Sequence, residues 1–413
     1  MAQTATSGTT PAVAARPAYR DGNVLRWLTA YTASMLGDSV YFVALGFAAA
    51  RAVPPAQVGL VMAAGAVPRA LLMLGGGVLA DRLGPRRVVI GSDAVRCVLI
   101  LAAAAGLATT SPGLWLLVAL ALAFGVVDAL FMPAVGALPP RITTTDQLVR
   151  VQGLRALAVR LGQVAGPPAG GLAMGLGGGA TAFLVAGLLF AVSVPLLLGT
   201  RIAPGPSAAA RAPAGRELRD GLGYIRRHPL VGPLVLSGAL CELGLAGPMN
   251  VGMVLLAERR GWGASGYGWV IAAFGAGAAA GAALLATRGR IRRAGAVQIV
   301  TLLAGSAALG VVGIVPSLAA AAATACVAGL VCGVCGGLAT ALIQSATEPG
   351  YLGRVTSVMG LTGFGLAPLV YPLFAAASGA LGPSPVFLAS ALLAAVGGAF
   401  TAFLPAVRTA ELR

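Results

Sequence analysis

Apolar runs long enough to cross a bilayer recur along the whole chain, and no other feature of the sequence restricts its fold as much. Crossing a hydrocarbon core takes about 20 residues of α-helix, because lipid offers no hydrogen-bond partner to an open backbone. Such runs fall at 25–50, 56–80, 88–109, 114–139, 151–175 and 179–200, then at 230–257, 266–287, 294–315, 318–346, 355–380 and 384–406. Charged residues make up only 10% of the chain, against about 25% in soluble domains, too few to clothe a water-soluble core. The pattern predicts an all-α membrane protein of twelve transmembrane helices in two pseudo-symmetric six-helix bundles, at 23–200 and 229–406. Residues 1–22 read as a disordered cytoplasmic tail, 201–228 as a solvated linker rich in Arg, Pro and Gly, and 407–413 as a second tail.

The formal net charge of +16 is carried by arginine alone, for the chain has no lysine. Its placement points to topology and not to nucleic acid. Odd-numbered connections hold only Arg51, Arg259 and Arg260, and the other loop arginines sit in even-numbered connections and at the two ends. Positive loops stay inside, so both termini are expected in the cytoplasm and the chain in the inner membrane. The five cysteines lie in apolar stretches; Cys332-x-x-Cys335 reads as small-residue packing, since the one histidine, His228, is distant. No metal site or cofactor is expected. There is no GxxxxGK[ST], HExxH or GxSxG pattern, so neither ATP-driven transport nor a hydrolase has support.

Leu79-Ala80-Asp81-Arg82 with Arg86-Arg87 after the second span echoes Leu285-Ala286-Thr287-Arg288 with Arg292-Arg293 after the eighth, and Arg150-Val151 echoes Arg354-Val355. Duplicated halves are how many transporters build a site between them. In the first of these turns Gly77 would permit close helix approach and Gly84 backbone freedom, while Asp81 could face a helix N-terminus or an arginine. Gly153, Gly162, Gly166-Pro167 and Gly170-Gly171 recur along the fifth span, where small residues allow close packing and proline bends the axis. Depth counting puts Asp38, Arg69, Asp128 and Glu242 near mid-membrane and Arg160 not much farther. An ionised group there costs at least ~2.5–3.5 kcal/mol unless paired or wet, so these five are candidates for a cavity, and Asp38 with Arg69 for an ion pair. Asp93 and Arg96, three apart and nearer the cytoplasmic end, are expected to pair with each other or with Arg86.

Gly77-Val78-Leu79-Ala80-Asp81-Arg82-Leu83-Gly84-Pro85-Arg86-Arg87 resembles the signature loop of the major facilitator superfamily, with Pro85 where that family usually has a basic residue. The fifth-span spacing is similar to that family's antiporter motif at every named position. Gly37-Asp38, Phe131-Met132-Pro133-Ala134, Glu217-Leu218-Arg219-Asp220-Gly221 and Gly353-Arg354-Val355 resemble the bacterial macrolide and siderophore exporters within it. The resemblance implies a gating loop of Gly77, Asp81, Arg82, Gly84, Arg86, Arg87, Asp93 and Arg96, and a central cavity bordered by the helices that carry Asp38, Arg69, Asp128, Arg160 and Glu242. It implies proton-coupled efflux of small amphipathic molecules by alternating access, with small molecules, protons and lipid as partners, no nucleic acid, and a monomer as the working unit. Many drug antiporters of the family carry an arginine in helix 4 where this chain has Asp128. A symporter or importer of a specific metabolite remains an alternative, and an aspartyl protease built on Asp38 and Asp128 a remote one.

Overall fold

The computed structural model describes residues 18–109, 113–144, 147–202, 214–288 and 291–412, with side chains throughout these ranges except at 18, 73–82, 214–217 and 364. Four helices come first: α1 (Gly22–Ala52), α2 (Pro55–Leu83), α3 (Pro85–Thr109) and α4 (Leu114–Gly136). The helix Leu148–Leu198 breaks at Gly177 and at Gly178, where φ is 69°, and so crosses twice, as α5 (148–176) and α6 (179–198). Then follow α7 (Val231–Arg259), α8 (Gly263–Ala286), α9 (Ala294–Ile314), α10 (Leu318–Ala346), α11 (Leu352–Leu381) and α12 (Pro383–Ala402). The fold is the expected all-α one, with twelve crossings among the described residues.

Local chemistry sets the ends. Asp21 caps α1 by accepting the N–H groups of Asn23 and Val24 at 2.8 and 3.4 Å. Pro55, Pro85 and Pro383 open their helices, where a missing N–H is harmless. Pro248 opens a wide turn, Pro248–Gly252, inside α7. Just before α3 the backbone turns through Gly84 at φ 85° and ψ 126°, and just before α9 through Arg293 at φ 59° and ψ 40°, so the two echoing loops each pass through a positive φ but in different conformations. The break at Gly177 and Gly178 falls in the gap expected between spans 5 and 6. Two expectations shift. Span 4 stops at Gly136 and not 139, because Pro139 and Pro140 begin a separate short helix, Pro139–Ile142. The linker, expected to be solvated throughout, holds the helix Ala214–Arg227, whose buried Ile225 and partly buried Leu218 pack on the second bundle.

Small residues bring the helices together, in matching pairs in the two halves. Gly125 of α4 rests on Gly65 of α2, where a Cβ would stand 3.0 Å from a backbone carbon, and Gly277 of α8 rests likewise on Cys326 of α10. Gly37 of α1 meets Phe190 of α6, and Gly244 of α7 meets Ala394 of α12. Between the halves, α5 packs on α8 and α2 on α11. One continuous apolar cluster, including Val40, Phe47, Val254, Tyr267 and Phe374, runs through both bundles at the end away from the linker. At the linker end the core divides in two, one cluster around Trp27 and Phe131, the other around Val231 and Leu342. The bundles are therefore sealed at one end and separate at the other. Arg51 and Glu258 form an ion pair of 3.0 Å across the sealed end, and Phe47 meets Tyr267 edge-on at 5.4 Å.

Two glycines separate folding from sealing. In Gly125→Val the new side chain meets the backbone of the same bundle, and the thermal midpoint should fall by the equivalent of about 1–3 kcal/mol. Gly59 faces Pro372 and Ala375 of the other bundle. Gly59→Val should keep a near-normal midpoint while raising thiol labelling of a cysteine placed in the sealed end. An unchanged labelling rate would contradict the sealing assigned to that contact.

Candidate functional site

Arg96 sits at mid-length of α3, eleven residues beyond its first, and its side chain is fully buried. A guanidinium in that position must find anions, and three carboxylates surround it. Its Nη2 lies 2.6 Å from Asp128 Oδ1, and its Nη1 lies 3.4 Å from Asp93 Oδ1 and 3.5 Å from Asp38 Oδ1. Asp93 is further held by the hydroxyls of Ser34 at 3.0 Å and Ser193 at 2.6 Å. Arg69 of α2 pairs with the other oxygen of Asp128. Aromatic faces close the remaining sides, with the guanidinium carbon 4.1 Å from the Phe131 ring centre, 5.3 Å from Phe124 and 5.7 Å from Phe190. Four helices of the first bundle, α1, α3, α4 and α6, thus meet at one cation, and α2 joins them through Asp128.

The polar surface continues into a cavity of about 450 Å³ between the bundles, within the usual range for small-molecule sites. Arg69 and Asp128 line it from the first bundle and Glu242 from the second, with the amides of Gln163 and Asn250 beside them. Tyr41, Phe42, Phe124, Phe274 and Tyr371 supply aromatic surface. Glu242 is exposed to this space and makes no ion pair with any described residue. A surface of this kind accommodates a molecule with an apolar body and polar groups.

Of the five mid-membrane candidates, Arg69, Asp128 and Glu242 line the cavity. Asp38 does not line it; it lies behind, against Arg96, and the alternative of an Asp38–Arg69 pair gives way to Asp38–Arg96 and Arg69–Asp128. Arg160 also falls outside the lining, and its guanidinium donates to Oε1 of the lining residue Gln163 at 3.0 Å. Asp93 and Arg96 do pair, but in the buried core and not beside Arg86, which donates to the Leu198 carbonyl at 2.9 Å. Gly84 makes the turn described above, and Arg87 is exposed. Gly77, Asp81 and Arg82 belong to the last turns of α2, in the stretch 73–82 whose side chains lie outside the described ones. Sequence reasoning missed Arg96 as the hub, although eleven residues at about 1.5 Å each place it half-way through the membrane.

The α5 glycines divide by neighbour. Gly162, Gly166 and Gly170 form a ladder against Met35, Ser39 and Val43 of α1, each four residues apart, so this seam lies inside the first bundle. Gly171 faces Ala264 of α8 instead, and Ser265 donates to its carbonyl at 3.1 Å. A Cβ on Gly268 of α8 would lie 2.7 Å from the Pro167 carbonyl. Gly153 has open space around it.

Residues 27–372 match the Major Facilitator Superfamily. The enterobactin exporters EntS of Shigella boydii and of Escherichia coli are each 28% identical over 284 residues, which is 68% of this chain and 67% of theirs. A bacterial homologue of the human lysosomal transporter Spinster, in an inward-facing occupied conformation, superposes with a TM-score of 0.74 at 16% identity over 98% of both chains. The nucleoside transporter NupG superposes with a TM-score of 0.72 at 11% identity, over 92% of this chain and 99% of its own. At such identities the structural likenesses speak for the fold.

Removing the hub should be worse than removing any one spoke. Arg96→Leu leaves Asp93 and Asp38 without a cation and should cost about 3–5 kcal/mol, seen as lost folded yield. Asp38→Asn, whose partner keeps two other acids, should stay close to the parent midpoint. Equal midpoints for Arg96→Leu and the parent protein would contradict the hub.

Proposed function

The chain belongs to the Major Facilitator Superfamily, and from that premise we infer that it exports small amphipathic molecules, of drug, antibiotic or siderophore-like type, in exchange for protons. The observation that carries this reading is the placement of Glu242 in one bundle and the Arg69–Asp128 pair in the other around a single cavity. A transported molecule in that space touches both moving bodies, which we take to be 23–200 and 229–406. Alternating access then follows from rocking about the α2–α11 and α5–α8 contacts, with the cavity exposed in turn to each side.

Protons enter through the carboxylates whose partners are fewest. Glu242 faces the cavity without an ion pair, and Asp38 holds only the longest of the three Arg96 contacts. A proton on Glu242 removes a charge that would otherwise attract a cationic group, so loading a proton and loading substrate can exclude one another. Efflux, as against uptake, is supported by the glycine spacing of α5 and by the modest likeness to enterobactin exporters. The arginine excess of the linker supports cytoplasmic termini in the inner membrane, which would make the separated end of the bundles the cytoplasmic one. The rival, a symporter or importer of a metabolite, would use the same acids with protons moving in the direction of the substrate. The family is one of transporters, so the protease built on Asp38 and Asp128 is set aside.

A susceptibility panel of drugs and siderophores, in a host lacking its own exporters, identifies a substrate. Efflux of that substrate from proteoliposomes should then rise with an imposed proton gradient directed opposite to it. Glu242→Gln and Asp38→Asn, at equal protein content, should each lose that dependence and fall toward the empty-vesicle rate. Full gradient-driven efflux by the combined variant would remove both acids from the mechanism, and uptake in the direction of the proton gradient would favour the symporter.

A further inference from the structure

The linker helix Ala214–Arg227 lies across the end of the second bundle, and its two faces differ. Ile225 is buried beside Val231, Val355 and Val358. Gly221 rests on Arg354, where a Cβ would sit 3.1 Å from the carbonyl oxygen. The other face exposes Arg219, Arg226 and Arg227, with Leu222 44% exposed three residues after Arg219 and four before Arg226. An apolar side chain flanked by arginines at helical spacing suits the boundary between acyl chains and headgroups.

Beside this face is a second cavity, of about 480 Å³, walled by Arg219, Asp220, Tyr224, Arg227, His228 and Tyr351. Most of its polar groups are donors. His228 Nδ1 accepts the N–H groups of Leu230 and Val231 at 3.3 and 3.1 Å, so the neutral ring carries its proton on Nε2 as its remaining donor. Tyr224 accepts the Glu348 N–H at 3.2 Å and stacks on Tyr351 at 4.4 Å, which fixes one wall of the cavity. The Arg354 guanidinium lies over the Tyr351 ring, 5.2 Å from its centre. Asp220 is the one acid in the wall and opposes an anion there, against two arginines that favour it. The cavity opens where two apolar spans, Val231–Arg259 and Leu352–Leu381, begin. That is headgroup level, and basic pockets at that depth suit lipid phosphate.

We propose that this cavity binds the phosphate of an anionic phospholipid, with Arg219 and Arg227 as the charged partners and the acyl chains lying along Leu222. The site is independent of the transported substrate, so it stands whether or not the export reading does. Free phosphate shares the headgroup chemistry but has nothing to place against Leu222.

The test uses the full chain in phosphatidylcholine nanodiscs with a minor share of phosphatidylglycerol, and counts by native mass spectrometry the lipid kept on release. Phosphatidylglycerol should be retained above its share of the bilayer. Retention should drop about fivefold in each of R219Q and R227Q, at an unchanged thermal midpoint. Asp220→Asn, which removes the opposing charge, should raise retention, a direction that general loosening of the helix does not produce. Millimolar inorganic phosphate should leave retention unchanged. Parent-level retention in R219Q and R227Q, lower retention by Asp220→Asn, or displacement by inorganic phosphate would each overturn the proposal.

Discussion

One buried guanidinium organises the first bundle. Arg96 has no water to solvate it, so α1, α3 and α4 must each present an acid to it, and Ser193 of α6 must hold Asp93 in place. Breaking such a cluster costs far more than its formation contributes, because each orphaned charge is left in a medium that cannot screen it. The helices are thereby fixed in rotation, and Asp128 is left with one oxygen for Arg69 at the cavity wall. The second bundle has no counterpart: Glu242 is its one acid at membrane depth. The two halves share helix pairings but divide the electrostatics unequally, a rigid network in one and a single accessible carboxylate in the other.

Packing follows the same division. Glycine on α5 brings α1 within backbone contact, so α1 and α5 move together, while Gly171, Pro167 and Gly268 give the opposing bundles a surface without long side chains to disentangle. Small residues inside the bundle make it stiff; small residues between bundles make the contact easy to part. In the proposed cycle these two roles belong to adjacent residues of one motif, Gly170 and Gly171.

The fold was legible because lipid forces every crossing to be a long apolar helix, and hydropathy records that directly. Ends were less so: Pro139 and Pro140 stop a span that hydropathy extends, and the amphipathic stripe of Leu218, Gly221 and Ile225 is hidden in a segment whose arginines and glycines look solvated. Mid-membrane depth drew attention to Arg69, Asp128 and Glu242, and the structure places these three along the cavity wall. Pairing could not be read, since it depends on helix rotation: Asp38 and Arg160 have suitable depths, yet one turns to Arg96 and the other to Gln163. Arg96 was masked by its closeness in sequence to the basic loop at Arg86 and Arg87, which drew it toward a gating role.

In the proposed cycle Glu242 couples proton movement to a cavity that is otherwise able to exchange substrate. Proteoliposomes loaded with substrate separate the two properties, by comparing substrate counterflow at equal pH with net efflux against an imposed pH gradient. Glu242→Gln should keep counterflow and lose the gradient-driven component. Loss of both together, or retention of both, would contradict that coupling.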